Sequence, residues 1–278
     1  MDGILISNKE VNMTSHDVVA QLRRILHEKK IGHSGTLDPQ ASGVLLVLIG
    51  KACKILPFLS DTDKEYITRL VLGKRTISDD IWGEVLEEKN ICPITDFSAL
   101  SARFVGEIEQ TPPMISSIKV NGKKLYEYAR THQEVEVPKR KVTIYSIDVL
   151  DEESLRFRVS CSSGTYVRAL CRDLAFTSGN VGCMAELVRT KVGRFSIEES
   201  VSLNDVANGN YQLLEIDALL EHIPVAAYEP LHDIYDGKSI HLSIKERPTL
   251  IRIQDQKHTI AIYKYSHGDV YKCARGLW

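Results

Sequence analysis

The sequence predicts an α/β chain of the α+β type, with strands and helices interspersed along most of its length and a small β-rich module at the C-terminus. Three observations predict it. Segments with alternating apolar positions, such as 66–72 and 142–150, lie between segments with apolar residues at helical spacing. Clusters rich in Gly, Pro, Ser and Asn separate the two kinds. From about Val225 helical spacing gives way to short β segments, such as 250–253 and 259–263.

Taken in order, residues 3–7 read as a short strand. Thr14 and Ser15 supply an N-cap, and Val18, Val19, Leu22, Ile25 and Leu26 follow at helical spacing, which predicts a helix to about Lys30. Residues 32–43 are glycine-rich and polar and contain Pro39, so a loop is expected there. Residues 44–49 form a continuous apolar run of strand length, and a short helix is expected over 52–60. Strands are predicted at 66–72 and 84–87 on either side of a polar loop, 76–83. A helix is predicted at 96–104. Thr111-Pro112-Pro113 interrupts regular structure, and Asn121-Gly122 is a tight-turn signal. Leu125 to Arg130 begins another helix. Strands at 142–150 and 155–161 flank the acidic turn 151–153. A helix over 165–176 stops at Ser178-Gly179-Asn180, and further strand lies within 181–195. There is no internal repeat and no low-complexity tract.

The bulk properties exclude several classes. The chain has 278 residues, 43% hydrophobic and 26% charged, an ordinary soluble balance. No apolar run reaches the ~18 residues of a membrane span, and the N-terminus lacks the basic and apolar regions of a signal peptide. A cytoplasmic location is therefore expected. The six cysteines, at 53, 92, 161, 171, 183 and 273, form no C-x-x-C pair, so reduced thiols are expected and a zinc site is not. The net charge of -2 hides an asymmetry. Residues from Phe195 onward carry 12 acidic and 8 basic side chains, against 25 and 27 before it. The basic residues cluster at 23–24 with 29–30, at 119 with 123–124, and at 139–141. Each cluster can serve a polyanion or be a solvated face.

The segment Gly32-His33-Ser34-Gly35-Thr36-Leu37-Asp38-Pro39-Gln40-Ala41-Ser42-Gly43-Val44-Leu45 holds the most chemical information. Its three glycines permit positive φ and close backbone approach. Pro39 removes an amide donor and restricts Asp38 to extended geometry. Asp38 is then either a functional carboxylate or an Asx-turn residue.

This segment resembles the signature G-H-x-G-T-L-D-P-x-A-x-G-x-L of the TruB family of pseudouridine synthases, whose bacterial members convert uridine 55 in the T loop of tRNA to pseudouridine. The resemblance recurs in order along residues 3 to about 195. Lys64-Glu65-Tyr66 with Leu72-Gly73 resembles the family's K-x-Y strand. Asp80 and Gly83 resemble its D-x-x-G turn. Gln110-Thr111-Pro112-Pro113-Met114, followed by Lys119-Val120-Asn121-Gly122 and Leu125-Tyr126, resembles its Q-x-P-P segment. Ser162-Ser163-Gly164-Thr165-Tyr166-Val167-Arg168 resembles S-x-G-T-Y-I-R. Leu187 and Arg189-Thr190 through Gly193-Arg194-Phe195 resemble L-x-R-T-x-x-G-x-F. Three places depart from the pattern. Asn8-Lys9-Glu10-Val11-Asn12 stands where D-K-P-x-G is usual, Val188 stands where a second arginine is common, and Ile77 and Trp82 stand at usually polar positions.

The resemblance implies the pseudouridine synthase fold, a central mixed, largely antiparallel sheet flanked by helices. It implies a catalytic domain over 1–222 with an RNA-clamping insertion at about 105–140, and a PUA-like RNA-binding module over 223–278. The reaction breaks the N1–C1′ bond, turns the uracil and joins C5 to C1′. It has no redox change, so no cofactor and no metal are expected. It needs a carboxylate at the ribose, acting as nucleophile or as base. By the resemblance that carboxylate is Asp38, and Arg168 is the cation that keeps it ionised. A surface arginine opening a helix is the other reading of Arg168, although a cation there opposes the helix dipole. Tyr66 is implied to stack on the flipped base and to take part in proton transfer at C5, and Leu187 to pack on its other side. The bland readings are an inward strand aromatic and plain core. His33 holds the extruded nucleotide or shapes its own loop. Lys9, Lys64, Lys119, Lys123 and Lys124 complete the implied substrate-binding set, with Arg130 as a further phosphate contact.

The expected partner is tRNA, through the T-arm stem-loop and, by the C-terminal module, the acceptor stem. A monomer is expected. Three other readings stand beside this one. An RNA-binding or RNA-folding protein on the same scaffold would tolerate any residue at position 38. A glycoside hydrolase would need a second placed carboxylate. The guide-RNA-dependent branch of the family has a more basic C-terminal region.

Overall fold

A computed structural model describes residues 1–60, 63–131 and 133–278. In chain order the elements are β1 (Gly3–Lys9), α1 (Ser15–Ile25), β2 (Ile31–His33), β3 (Ser42–Ile49) and a 3-10 helix, Gly50–Phe58. Next come β4 (Lys64–Leu72), the hairpin β5 (Lys74–Thr76) and β6 (Val85–Glu88), α2 (Phe97–Ala102), β7 (Gly106–Gln110), the small hairpin β8 (Lys119–Val120) and β9 (Lys123–Lys124), and α3 (Leu125–Arg130). Then follow β10 (Arg140–Asp151), β11 (Arg156–Cys161), α4 (Val167–Thr177), β12 (Gly182–Val192), β13 (Phe195–Ser196), α5 (Leu203–Ala207) and α6 (Leu231–Tyr235). The chain ends with β14 (Ile240–His241), β15 (Leu250–Asp255), β16 (His258–His267) and β17 (Val270–Gly276). The expected mixed α/β architecture with a C-terminal β module is present. No helix among the described residues is long and apolar enough to cross a membrane.

Two compact units form, one of Met1–Pro39, Leu45–Asp61 and Glu198–Trp278, the other of Gln40–Val44 and Thr62–Ile197. In the first, α1 starts at a reciprocal cap. The Thr14 hydroxyl accepts from the Asp17 amide at 3.0 Å, and the Asp17 carboxylate accepts from the Thr14 amide at 2.8 Å. The helix buries Val18, Val19 and Leu22 with Leu5, Leu45, Val47 and Val206. Burial of such a side chain stabilises the fold by about 1.5–3 kcal/mol, which is how an 11-residue helix persists.

Two expectations fail locally. The helix ends at Ile25 rather than Lys30, because His27 takes a left-handed φ of 52° that breaks the helical path. The segment 32–43 is not all loop: Ile31–His33 pairs antiparallel with Val47–Ile49, and β3 already begins at Ser42. Where a Gly is usual, Asn12 holds φ at 63°, a left-handed conformation Asn tolerates better than most residues.

The C-terminal sheet runs β14-β17-β16-β15, antiparallel throughout. Ile234, Ile240, Ile251, Ile253, Tyr263 and Tyr271 form its apolar centre. Asp217 ties this sheet to the turn before it. Its carboxylate accepts from Arg252 Nη1 at 2.6 Å, Gln254 Nε2 at 3.0 Å, the Thr259 amide at 3.1 Å and the Thr259 hydroxyl.

In the second unit the strand order is β12-β4-β11-β10-β7, every neighbouring pair antiparallel. Ser42 and Gly43 lie parallel to Val188 and Arg189, which makes the sheet mixed. Gly43 sits at φ 105°, and a Cβ there would run into the Arg189 carbonyl, so this position of the signature requires glycine. One face of the sheet carries Tyr66, Thr68 and Leu70 of β4, Phe157 and Val159 of β11, and Leu187 and Arg189 of β12, all buried. Helix α4 covers it, bringing Cys171 Sγ to 3.9 Å from the Thr68 hydroxyl.

Replacing Asp217 by Ala leaves Arg252, which is only 11% exposed, without its carboxylate. The expected loss is about 2–4 kcal/mol, read as a lower urea midpoint with unchanged slope. Hydrogen bonds from Thr259 and Gln254, together with Arg252, outweigh burial and hold the Asp217 carboxyl below its ordinary 3.8. Its contribution is therefore complete above that value and is lost as pH falls through the lower folded-state value.

Candidate active site

Asp38 belongs to the first unit, in the stretch between β2 and β3. It is bracketed by two anchors. On one side Leu37 is buried, its amide donates to the Ser15 hydroxyl at 2.8 Å, and that hydroxyl donates to the Leu37 carbonyl at 3.3 Å. Ser15 opens α1, so the rigid end of a helix grips the residue before Asp38. On the other side the Pro39 carbonyl accepts from Lys9 Nζ at 3.3 Å. The same ammonium donates to the carbonyls of Met13 at 2.7 Å and Glu10 at 2.9 Å. Lys9 is wholly buried, so this lysine, expected among the substrate contacts, is engaged with the backbone that flanks Asp38. The Asp38 side chain itself is half-buried. His33 is half-buried on β2, opposite Val47.

The second unit brings together Tyr66, Lys64, Leu187 and Arg189. Tyr66 on β4 stands directly opposite Arg189 on β12, and Thr68 opposite Leu187. Tyr66 and Leu187 are therefore diagonal neighbours on one face, a spacing of about 7–8 Å that long side chains bridge. Lys64 lies two residues along β4 from Tyr66 and donates to the Ser163 hydroxyl at 3.1 Å. Burial first, and then the Arg189 charge, lower its pKa.

Arg168 is buried at 5% exposure in the first turn of α4, which rules out the reading as a surface arginine. Its Nη1 donates to the Ser78 carbonyl at 2.7 Å and its Nη2 to the Ile115 carbonyl at 3.0 Å, and Asp80 lies 3.8 Å from Nη1. One turn later Arg172 donates to Asp79 at 2.7 Å, Asp173 at 2.9 Å and the Thr111 carbonyl at 2.9 Å. The i, i+4 spacing places both guanidinium groups on one side of the helix, where they fix the 76–83 loop and the 111–115 segment. Burial raises the Asp79 carboxyl despite the opposing pull of Arg172. Gln110 completes the frame, accepting from the Tyr166 amide at 2.8 Å and donating to the Tyr166 carbonyl at 3.1 Å.

The three lysines of the expected clamp share one small hairpin. Lys119 pairs with Lys124, and Val120 with Lys123, around Asn121 (φ 49°) and Gly122 (φ 82°). Lys119 and Lys123 are exposed. Lys123 and Lys124 lie over the rings of Tyr128 and Tyr126 at 5.8 and 5.4 Å.

Sequence reasoning gave no role to Arg189, Arg172 or Asp79. Arg189 is 1% exposed, and no local pattern marks a strand arginine as buried. The i, i+4 repeat of Arg168 and Arg172 was the one available signal for the loop anchor.

A sheet with this topology, together with an anchored G-H-S-G-T-L-D-P loop, defines a pseudouridine synthase scaffold. The comparisons agree. The TruB family pseudouridylate synthase N-terminal domain matches residues 23–167, and the tRNA pseudouridylate synthase B C-terminal domain matches 168–223. The tRNA pseudouridine synthase B of Geobacillus kaustophilus is 46% identical over 241 residues, covering 81% of this chain and 85% of that protein. That of Bacillus cytotoxicus is 40% identical over 285 residues, covering 95% and 93%. Among solved structures, a Cbf5-Nop10-Gar1 complex contains a chain of TM-score 0.73 at 25% identity, covering 99% of this chain and 85% of that one. The chain belongs to the TruB family of pseudouridylate synthases.

Replacing Arg172 by Leu strands the Asp79 carboxylate in a site where its side chain is 9% exposed. The expected loss of stability is about 3 kcal/mol, the low end for a broken buried pair because Arg172 is 23% exposed. Adding Asp79→Asn in the same chain should recover part of it, read as a positive coupling in a double-mutant cycle of urea melts.

Proposed function

We propose that this chain isomerises uridine 55 in the T loop of tRNA to pseudouridine, without a guide RNA, and that Asp38 supplies the carboxylate that acts at the ribose. The observation that carries the reading is the double anchoring of Asp38 by Ser15 through Leu37 and by Lys9 through Pro39. A half-buried carboxylate held from both neighbours is preorganised at little cost during reaction. An Asx-turn aspartate has no need of a buried lysine behind it.

The chemistry follows from the reaction's own balance. The base must leave its stack before C1′ is reachable. The carboxylate then attacks C1′, or removes a proton from C2′, as the N1–C1′ bond breaks. The uracil turns, C5 bonds to C1′, and the proton on C5 departs. In this reading Arg168 is the cation that serves the carboxylate, and Tyr66 and Leu187 take the two faces of the base. Base stacking on Tyr66 is worth about 1–3 kcal/mol. His33 and Lys64 contact the nucleotide. Lys119, Lys123 and Lys124 contact phosphate from a hairpin inside the insertion at about 105–140. The module over 223–278 meets the acceptor stem, and the protein acts as a cytoplasmic monomer.

Relatives that carry the name tRNA pseudouridine synthase B match at 40–46% identity, whereas the Cbf5 chain matches at 25%. The acidic balance after Phe195 also favours the guide-independent reading over the guided branch. A folding protein on this scaffold would have no use for an anchored aspartate.

Asp38→Asn is expected to abolish tritium release from tRNA labelled at uridine C5 while tRNA affinity persists; full turnover by the variant overturns the mechanism. A T-arm stem-loop alone is expected to be a substrate for the wild type. Strict dependence on a separate guide RNA would instead place the chain with the guided enzymes.

A further inference from the structure

Arg172 and Phe176 stand at i, i+4 on α4, and Asp173 lies three positions before Phe176, so the three share one side of the helix. Phe176 is 80% exposed, more than any other large apolar side chain among the described residues. A solitary exposed apolar residue is ordinary. This one is the wall of a cavity of about 500 Å³ between the C-terminal end of α4 and the hairpin β5–β6. Small-molecule sites occupy about 300–1,000 Å³.

The hairpin supplies the facing wall, and it is cationic. Arg75 on β5 stands opposite Glu87 on β6. Its Nε lies 3.6 Å from the Glu87 carboxylate, an ion pair too long for a hydrogen bond. Lys89 Nζ lies 2.8 Å from the same carboxylate. Two cations therefore share one anion, and their side chains are 46% and 58% exposed. On the helix wall Arg172 is already met by Asp79 at 2.7 Å and Asp173 at 2.9 Å. The unmatched positive charge of the cavity is thus on the hairpin, across from the aromatic ring.

We propose that this cavity is a second binding site, for a nucleoside phosphate: the base stacks on the Phe176 ring and the phosphate meets Arg75 and Lys89. The nucleotide is either a unit of the tRNA or free in solution. An aromatic ring serves any base, because every base has a π-face. A guanidinium fork matches phosphate oxygens, and Arg75 gives up no hydrogen bond to Glu87 in turning to them. Lys89 adds a mobile point charge. A purely apolar ligand would use the ring and leave two cations facing it, and a cation would be repelled by the hairpin. A nucleoside phosphate uses both walls. The site is separate from the one proposed for isomerisation, since neither the loop that carries Asp38 nor Tyr66, Leu187 or Lys64 lines it.

The test reads binding by the full-length protein, so its failure is distinct from failure of the Asp38 assignment, which Asp38→Asn reads by turnover. AMP titrated into 15N-labelled protein should move the amide resonances of Gly179, Asn180 and Val181, which line the cavity. Phe176→Ala should abolish the movement and Phe176→Trp should keep it. With tRNA as the probe, Phe176→Ala should weaken affinity roughly 5- to 100-fold, the range for loss of one base stack. Arg75→Gln and Lys89→Gln should each flatten the slope of log affinity against log salt by about 0.7. An AMP response with unchanged tRNA affinity assigns the site to a free nucleotide. Weakened tRNA binding without an AMP response assigns it to the RNA. Turnover at saturating tRNA should stay at the wild-type rate in Phe176→Ala, Arg75→Gln and Lys89→Gln. A loss of that rate with affinity intact overturns the proposal. So does a wild-type spectrum unmoved by AMP together with unchanged tRNA affinity in all three variants.

Discussion

A cation withdrawn from water must find acceptors, and in this protein those acceptors are main-chain carbonyls of the segments that carry the signature motifs. Lys9 donates to the carbonyls of Glu10, Met13 and Pro39. Arg168 donates to those of Ser78 and Ile115, and Arg189 to that of Val44. Burying each ion costs several kcal/mol before compensation. A carbonyl that moves away leaves the charge stranded, so each cation resists displacement of the backbone it holds. Irregular segments have few hydrogen bonds of their own, and here the buried cations supply their rigidity.

The same constraint explains which parts of the molecule were legible in the sequence. The N-cap at Thr14, the strand at 44–49, the start of a helix at Leu125 and the Asn121-Gly122 turn follow from local chemistry and stand as expected. Strand β2 was hidden because three residues carry no periodicity and its partner, Val47–Ile49, is remote in sequence. The end of α1 was hidden because His27 takes a left-handed conformation without the glycine that usually announces it. For the proposed site, the signature pointed to Asp38, Tyr66, Leu187 and Arg168, but not to the hydrogen bonds that hold Leu37, Pro39 and Arg168. A charged residue in a sequence reads as solvated. That Lys9, Arg168 and Arg189 are buried emerges only when the fold brings distant carbonyls to them.

Glycine and its substitute follow the same logic of backbone access. Gly43 lets β3 lie against the Arg189 backbone, and the next residue, Val44, offers its carbonyl to the Arg189 side chain. One residue of the signature thus permits the approach and its neighbour receives the hydrogen bond. Asn12 shows the limit of reading such patterns literally. The glycine usual there is absent, and asparagine takes a left-handed conformation in its place at modest cost. Lys9, three residues earlier, keeps its three carbonyls.

An isomerisation with no redox change and no added group leaves placement and electrostatics as the protein's means of acceleration. Placement of a lone carboxylate tolerates little error, since a displacement of 1 Å can cost roughly a hundredfold in rate. A flexible loop held only by its ends would not meet that tolerance. Anchors on both neighbours of Asp38, the carboxylate proposed to act, restrain its backbone, one from a helix start and one from a buried ammonium. In the second unit the paired arginines of α4 do the same for the 76–83 loop, and Gln110 for the start of the helix that bears them. The carboxylate proposed to act therefore sits in irregular backbone, while the groups that hold its neighbours come from a helix start and a strand. That division gives the signature loop a fixed course without a regular backbone of its own.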